Sequence, residues 1–270
     1  MSAKEITKAF LSTRVSCSVL SRMNKVAAGK KILNWLSSSS GVFATFDDGW
    51  RAARQASGEA HEHPSIADLH IDLAKTLRPS DYAVLYWLLR LTSKELNIFD
   101  FGGNVGNLYY SYLPYVQQLR EVHWTVFDLP ALVQRGRSIA RERSAANLRF
   151  TNSAREMPSN CILLVSGSFH YWEGSVQTFL EQFTKPPEHI LLNRTPIHET
   201  EATFVTVQCT DTCAFPCVVR NARDMMNEFS KQGYAAKDRW RALELSIENP
   251  LFPDFSVPYY SGFYFRRRTE

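Results

Sequence analysis

The spacing of apolar positions changes near residue 95. Between residues 43 and 90 apolar side chains recur at helical intervals broken by loop signals, and Asp81 is placed to cap a helix running through Tyr82-Ala83-Val84-Leu85-Tyr86-Trp87-Leu88-Leu89. On that spacing Tyr86 and Trp87 are expected in the core. Beyond residue 95, short apolar runs at 97–101, 124–127, 148–150, 161–165 and 190–192 alternate with stretches long enough for a helix. Such alternation predicts a parallel sheet with crossover helices. The aromatic-rich stretches 234–240 and 260–266 predict an antiparallel pair at one edge of that sheet.

The segment before the first of these strands is set apart by charge. Lys4, Lys8, Arg14, Arg22, Lys25, Lys30 and Lys31 face a single acid, Glu5, in a helix-compatible stretch that is either a solvated or dimer-forming arm or a presequence. Ser37-Ser38-Ser39-Ser40-Gly41 then interrupts the pattern as a linker would. We therefore expect a helical cap over residues 1–94 and a catalytic domain over 95–270, a size that buries a substantial core. The whole chain carries 31 basic and 27 acidic residues, a net charge of +4, with no basic stripe interleaved with aromatics, which argues against nucleic acid as a partner. Five cysteines, an odd number, together with the lack of any apolar run near the roughly 20 residues needed to span a bilayer, point to a reducing, cytoplasmic setting with no membrane partner.

The strongest local signal is Asn97-Ile98-Phe99-Asp100-Phe101-Gly102-Gly103-Asn104-Val105-Gly106, a strand entering a glycine-rich turn ahead of a helix. Glycines there let a ligand approach the backbone, and the helix start offers unpaired N–H groups. After Gly106 come 21 residues and then Asp128, at the end of the next strand, where a carboxylate can accept hydroxyl hydrogens. A glycine turn alone also fits dinucleotide binding or plain helix–strand packing. Asp100 separates the readings, because an acid inside the strand end suits a cationic amine better than a pyrophosphate.

From Ile98 to about Arg194 the chain resembles class I methyltransferases, and Asp100 to Gly106 followed by Phe127-Asp128-Leu129-Pro130 is similar to the small-molecule O-methyltransferases. The resemblance implies a Rossmann-like α/β fold with a seven-stranded mixed sheet and a helical N-terminal cap. It also implies S-adenosylmethionine as the ligand: its amine on Asp100, its methionine part along Gly102, Gly103, Asn104 and Gly106, and its ribose on Asp128 beside Leu129. Asn104 departs from the family pattern, standing where a further glycine is usual; asparagine tolerates the left-handed region better than other residues. Ser153 matches the place of an adenine contact. In Ser166-Gly167-Ser168-Phe169-His170-Tyr171-Trp172, Ser168 falls at a cofactor contact and His170 at the place of a general base.

More narrowly, the whole chain, including Gly41-Val42-Phe43-Ala44-Thr45-Phe46 and Leu191-Leu192-Asn193-Arg194-Thr195-Pro196, is similar to a bacterial group of methyltransferase-like proteins, some of which act in peptide natural-product pathways. That group is read to include the azetidine-2-carboxylate synthases, which close the aminobutyrate arm of S-adenosylmethionine into a ring and release methylthioadenosine. The resemblance implies this cyclisation, with His170, Tyr171 and Tyr109 at the reacting end and Asn193 or Arg194 as further contacts. Trp50, Tyr82, Tyr86, Tyr110, Tyr112, Trp172, Tyr259 and Tyr260 supply rings for a cage around a sulfonium. The alternatives are O- or N-methyl transfer to a small molecule with His170 as base, and a silent scaffold docked to a biosynthetic assembly-line partner. Cys209, Cys213 and Cys217 have equal three-residue gaps that fit neither an iron–sulfur nor a zinc pattern, so no metal is expected.

Overall fold

The computed structural model describes residues 39–57, 76–91, 95–117, 121–209, 214–249 and 251–268; the basic N-terminal segment lies outside them. The described chain falls into two compact units. One contains residues up to 57 with Pro196–Asn221 and Leu245–Tyr259; the other contains residues from 76 to Thr195, Ala222–Glu244 and the chain from Tyr260.

The first unit is built on a four-stranded sheet, in the order β1 (Ser39–Phe43), β8 (Phe204–Cys209), β9 (Ala214–Asn221) and β7 (Ile197–His198). Strand β1 lies where the serine run predicted a linker, and it pairs antiparallel with β8. Helix α1 (Phe46–Ser57) packs on this sheet through Ala53, against Val207 and Ala214. Cys217 is buried in β9, and burial pushes its thiol pKa upward, as expected of an apolar core residue. Cys213 lies outside the described residues. Among the described residues no group of three His, Cys, Asp or Glu could hold a metal ion, and no helix is long and apolar enough to cross a membrane.

The second unit opens with helix α2 (Asp81–Leu91) and continues as β2 (Glu95–Phe101), α3 (Asn107–Val116), β3 (Glu121–Phe127), α4 (Pro130–Glu142), β4 (Leu148–Thr151), β5 (Ile162–Ser166), α5 (Val176–Leu180) and β6 (His189–Thr195). It closes with α6 (Ala222–Lys231), β10 (Tyr234–Ala242) and β11 (Tyr260–Arg267). The sheet order is β10-β11-β6-β5-β2-β3-β4. Strands β2 to β6 are parallel, while β11 runs antiparallel to both β6 and β10, as the aromatic tail predicted. Central β5 reads Ile-Leu-Leu-Val in four consecutive buried positions because both faces of a parallel sheet are covered. Strand β3 alternates, turning Val122, Trp124 and Val126 into the core. The strand order, with its antiparallel last pair, gives this unit the Rossmann-like class I methyltransferase fold.

Helix α2 corrects one expectation. Val84, Leu85 and Leu88 are its buried face, Trp87 is half-buried and donates to Asp238 at 2.7 Å, but Tyr86 is 56% exposed and Tyr82 60%. Tyr86 sits off the apolar stripe and is not a core residue.

Candidate active site

The direction in which the chain winds from strand to strand reverses between the parallel strands β2 and β5. From β2 the chain winds outward through β3 to β4, and from β5 it winds the other way through β6. Such a switch leaves a crevice at the carboxyl ends of the two strands, where ligands bind open α/β sheets. The residues from Gly102 to Gly106 leave β2 at that crevice, and those from Gly167 to Tyr171 leave β5 beside it. Ser168 joins the two loops, its Oγ donating to the Phe101 carbonyl at 2.6 Å. Gly102 adopts φ +72°, and a Cβ on it would come within 2.4 Å of the Ser168 Cβ. Glycine is therefore required there by both conformation and contact.

Asp100, at the end of β2, is 1% exposed. A Cβ on Gly103 would sit 2.4 Å from Asp100 Oδ2, so the carboxylate is tucked directly beneath a glycine that leaves it room. Trp124, from the neighbouring strand, donates its indole N–H to the same oxygen at 3.1 Å. Burial pushes the Asp100 carboxyl up from 3.8 to about 7; the Trp124 hydrogen bond and Arg194 oppose the rise, and Asp128 adds to it. A buried acid held partly protonated by its surroundings is poised to gain a cation.

Asp128 holds the glycine loop from the other side. Its Oδ2 accepts from the Asn104 N–H and its Oδ1 from the Leu129 N–H, both at 2.7 Å. Asn104 takes φ 56°, the left-handed conformation its side chain tolerates, and its own Oδ1 accepts from Val105 N–H. Gly106 then starts α3, and Leu129, 43% exposed, precedes Pro130 at the start of α4. A carboxylate has about four lone-pair sites, so two remain on Asp128 for hydroxyl donors. Burial raises the Asp128 carboxyl as well, against the pull of the two amides. Ser153 lies just past β4, half-buried, its N–H bonded to Thr151 Oγ1.

Beyond β5, Phe169–Tyr171 form one turn of 3-10 helix. His170 is 3% exposed, its ring 4.1 Å from the Tyr171 ring and 6.0 Å from that of Tyr260. The structure thus brings His170, Tyr171 and Tyr260 together. Tyr109 is buried on α3, edge-on to Trp124 at 6.0 Å. Tyr112 also packs on Trp124 and belongs to the core.

A buried polar cluster at the end of β6 was only partly visible in the sequence. Arg194, at φ 53° and 8% exposed, pairs with Asp81, which also accepts from Tyr112 OH at 2.7 Å and Arg78 N–H at 2.9 Å. Asp81 is the first residue of α2, and its carboxylate goes to Arg194, Tyr112 and Arg78 rather than to an amide of the helix's first turn, so it does not act as the cap expected of it. Burial and Arg194 lower the Arg78 pKa. Asn193 is fully buried; its amide bonds Ser80 and Ser166, and its oxygen accepts from Trp240.

Neither protein-family profiles nor characterised protein sequences match the chain. Solved structures similar to it include a SAM dependent methyltransferase from Aquifex aeolicus, at 13% identity over 76% of this chain and 99% of that one, with a TM-score of 0.48. The glycopeptide N-methyltransferase MtfA complexed with S-adenosyl-L-methionine matches at 10% identity over 72% of this chain and 96% of its own, with a TM-score of 0.46. OxaC in complex with sinefungin and meleagrin matches at 15% identity over 68% of this chain and 47% of its own, with a TM-score of 0.48. The chain spans about half the length of OxaC.

Proposed function

We propose that this chain is an S-adenosylmethionine-using enzyme, and that its reaction is the intramolecular cyclisation of that substrate to azetidine-2-carboxylate. The observation that carries the first part is the Asp100 carboxylate buried beneath a glycine loop at the switch point. A pyrophosphate placed there would meet an ionising acid, whereas an α-ammonium group gains an ion pair in a low-dielectric pocket. Asp128, with two amides already holding it in place, has acceptor capacity for both ribose hydroxyls. The cyclisation rests on the resemblance of the whole chain to the group containing the azetidine-2-carboxylate synthases.

The substrate supplies a γ-carbon activated by an adjacent sulfonium. Cyclisation forms a bond from the α-amino nitrogen to that carbon and breaks the carbon–sulfur bond, whose electron pair leaves with methylthioadenosine. One ammonium proton must be removed. His170 is the residue assigned to accept it, and Tyr171 and Tyr260 beside it exclude water and offer ring faces to the sulfonium. Asp100 orients the amine. A second reading, methyl transfer with His170 as base for an acceptor, is favoured by its burial just beyond β5.

Incubating the full chain with S-adenosylmethionine and no acceptor, followed by mass spectrometry against a protein-free control, separates the two. Accelerated release of methylthioadenosine together with azetidine-2-carboxylate is expected. Formation of neither product overturns cyclisation, and S-adenosylhomocysteine appearing only with an added acceptor establishes methyl transfer.

A further inference from the structure

Helix α4 and the edge strand β4 border a groove of about 780 Å³ on the unit that carries Asp100. Its floor is apolar, with Ala140, Leu148 and Phe150 buried, and its rim carries the exposed side chains of Arg137, Arg141 and Arg149. Positive charge gathers along this stretch of chain. Between residues 130 and 150 stand Arg135, Arg137, Arg141, Arg143 and Arg149 against the single acid Glu142, an excess of five minus one, or four.

Three of these arginines are held by uncharged partners. Arg137 donates through Nη2 to the Phe150 carbonyl at 2.7 Å, Arg141 through Nε to the Arg137 carbonyl at 3.3 Å, and Arg143 lies 4.8 Å over the Tyr110 ring. Among the described residues no carboxylate forms an ion pair with Arg137, Arg141, Arg143 or Arg149. Arg137 and Arg141 are one helical turn apart, a spacing at which like charges repel. Three exposed guanidinium groups without a carboxylate partner around an apolar trough suit an external anion, and arginine is shaped for bidentate pairing with carboxylates.

We propose that this groove is the docking site for an acidic amphipathic helix of a partner protein. An apolar stripe flanked by carboxylates matches a recessed apolar floor flanked by arginines. Single-stranded nucleic acid would need a series of aromatic faces on which successive bases stack, and the lining carries one ring, Phe150. A membrane surface would need projecting apolar side chains, whereas those of the groove lie below the arginine rim.

The test uses the full-length protein and a fluorescent peptide of Leu and Glu with Leu at i, i+3, i+4 and i+7, alongside a scrambled peptide of the same composition. Fluorescence anisotropy should show the amphipathic peptide binding with an affinity that falls as salt rises. The double variant Arg141→Gln/Arg149→Gln, which spares the Arg137 contact with β4, should weaken binding about tenfold without changing turnover of S-adenosylmethionine. No binding of the amphipathic peptide, equal binding of the scrambled peptide, or equal binding by the double variant would each overturn the proposal. So would displacement of the peptide by a single-stranded oligonucleotide or by anionic phosphatidylserine vesicles at lower concentration than unlabelled peptide.

Discussion

Replacing Asp100 with Asn should make the ligand-free protein more stable at alkaline pH while removing its affinity for S-adenosylmethionine. The wild-type carboxyl rises from 3.8 to about 7 on folding because burial disfavours its charge. Between those values the folded chain holds a proton that the unfolded chain has released. The stabilising contribution is therefore complete below pH 3.8 and is lost as pH rises through 7. At 1.36 kcal/mol per pKa unit, the swing between pH 5 and pH 8 is about 3 kcal/mol. Asparagine fills the same space and cannot ionise, so the difference in stability between variant and wild type should shift by that amount, in favour of the variant at pH 8. Urea unfolding at both pH values measures the difference, and the other titrating groups cancel in it. A bound cation favours the ionised form, so wild-type affinity for S-adenosylmethionine should drop about tenfold from pH 8 to pH 6. Stability profiles of wild type and Asp100→Asn that run parallel would show that the buried carboxyl does not hold its proton on folding.

Four further substitutions probe the rest of the site. Gly103→Ala drives a methyl group into Asp100 Oδ2 and should cost about 1–3 kcal/mol in urea unfolding, with the cost relieved in the Asp100→Ala background. Asp128→Ala leaves the Asn104 and Leu129 amides without their acceptor and should raise the Kd for S-adenosylmethionine by about tenfold or more; an unchanged Kd removes Asp128 from the ribose role. His170→Ala should lower turnover by about 10²- to 10⁴-fold while Kd stays within about threefold, and undiminished turnover rules it out as the base. Arg194→Gln strands the buried Asp81 carboxylate and should destabilise the chain by about 3–5 kcal/mol, much of it recovered by adding Asp81→Asn; full stability of the single variant would show the pair to be dispensable.

The parallel strands were legible because each carries its own signal. Strand β5 is a continuous apolar run, β3 alternates, and β10 and β11 are aromatic pairs. Strand β1 was not legible: its serines and glycine read as a linker, and only its ladder with β8, more than 160 residues on, makes it a strand. Tyr86 was misplaced because helical spacing was applied without first locating the stripe of Val84, Leu85 and Leu88. At the site, Asp100, the glycine loop and Asp128 lie within one strand–helix–strand unit, so their proximity follows from local order. The Trp124 bond to Asp100 was within reach, since Trp124 is two residues from Val126, the partner of Asp100 in β3. The Asp81–Arg194 pair spans 113 residues and two elements with no shared pattern, and only the folded sheet brings them together.

If Asp100 holds the amine and Asp128 the ribose of S-adenosylmethionine, both acids govern its binding. Isothermal titration calorimetry of the full chain at pH 8, with S-adenosylmethionine and then with NAD, tests it most directly. Saturable binding of S-adenosylmethionine is expected, lost in Asp100→Asn and weakened in Asp128→Ala, with no binding of NAD. Binding of NAD alone, or S-adenosylmethionine affinity indifferent to both substitutions, would contradict it.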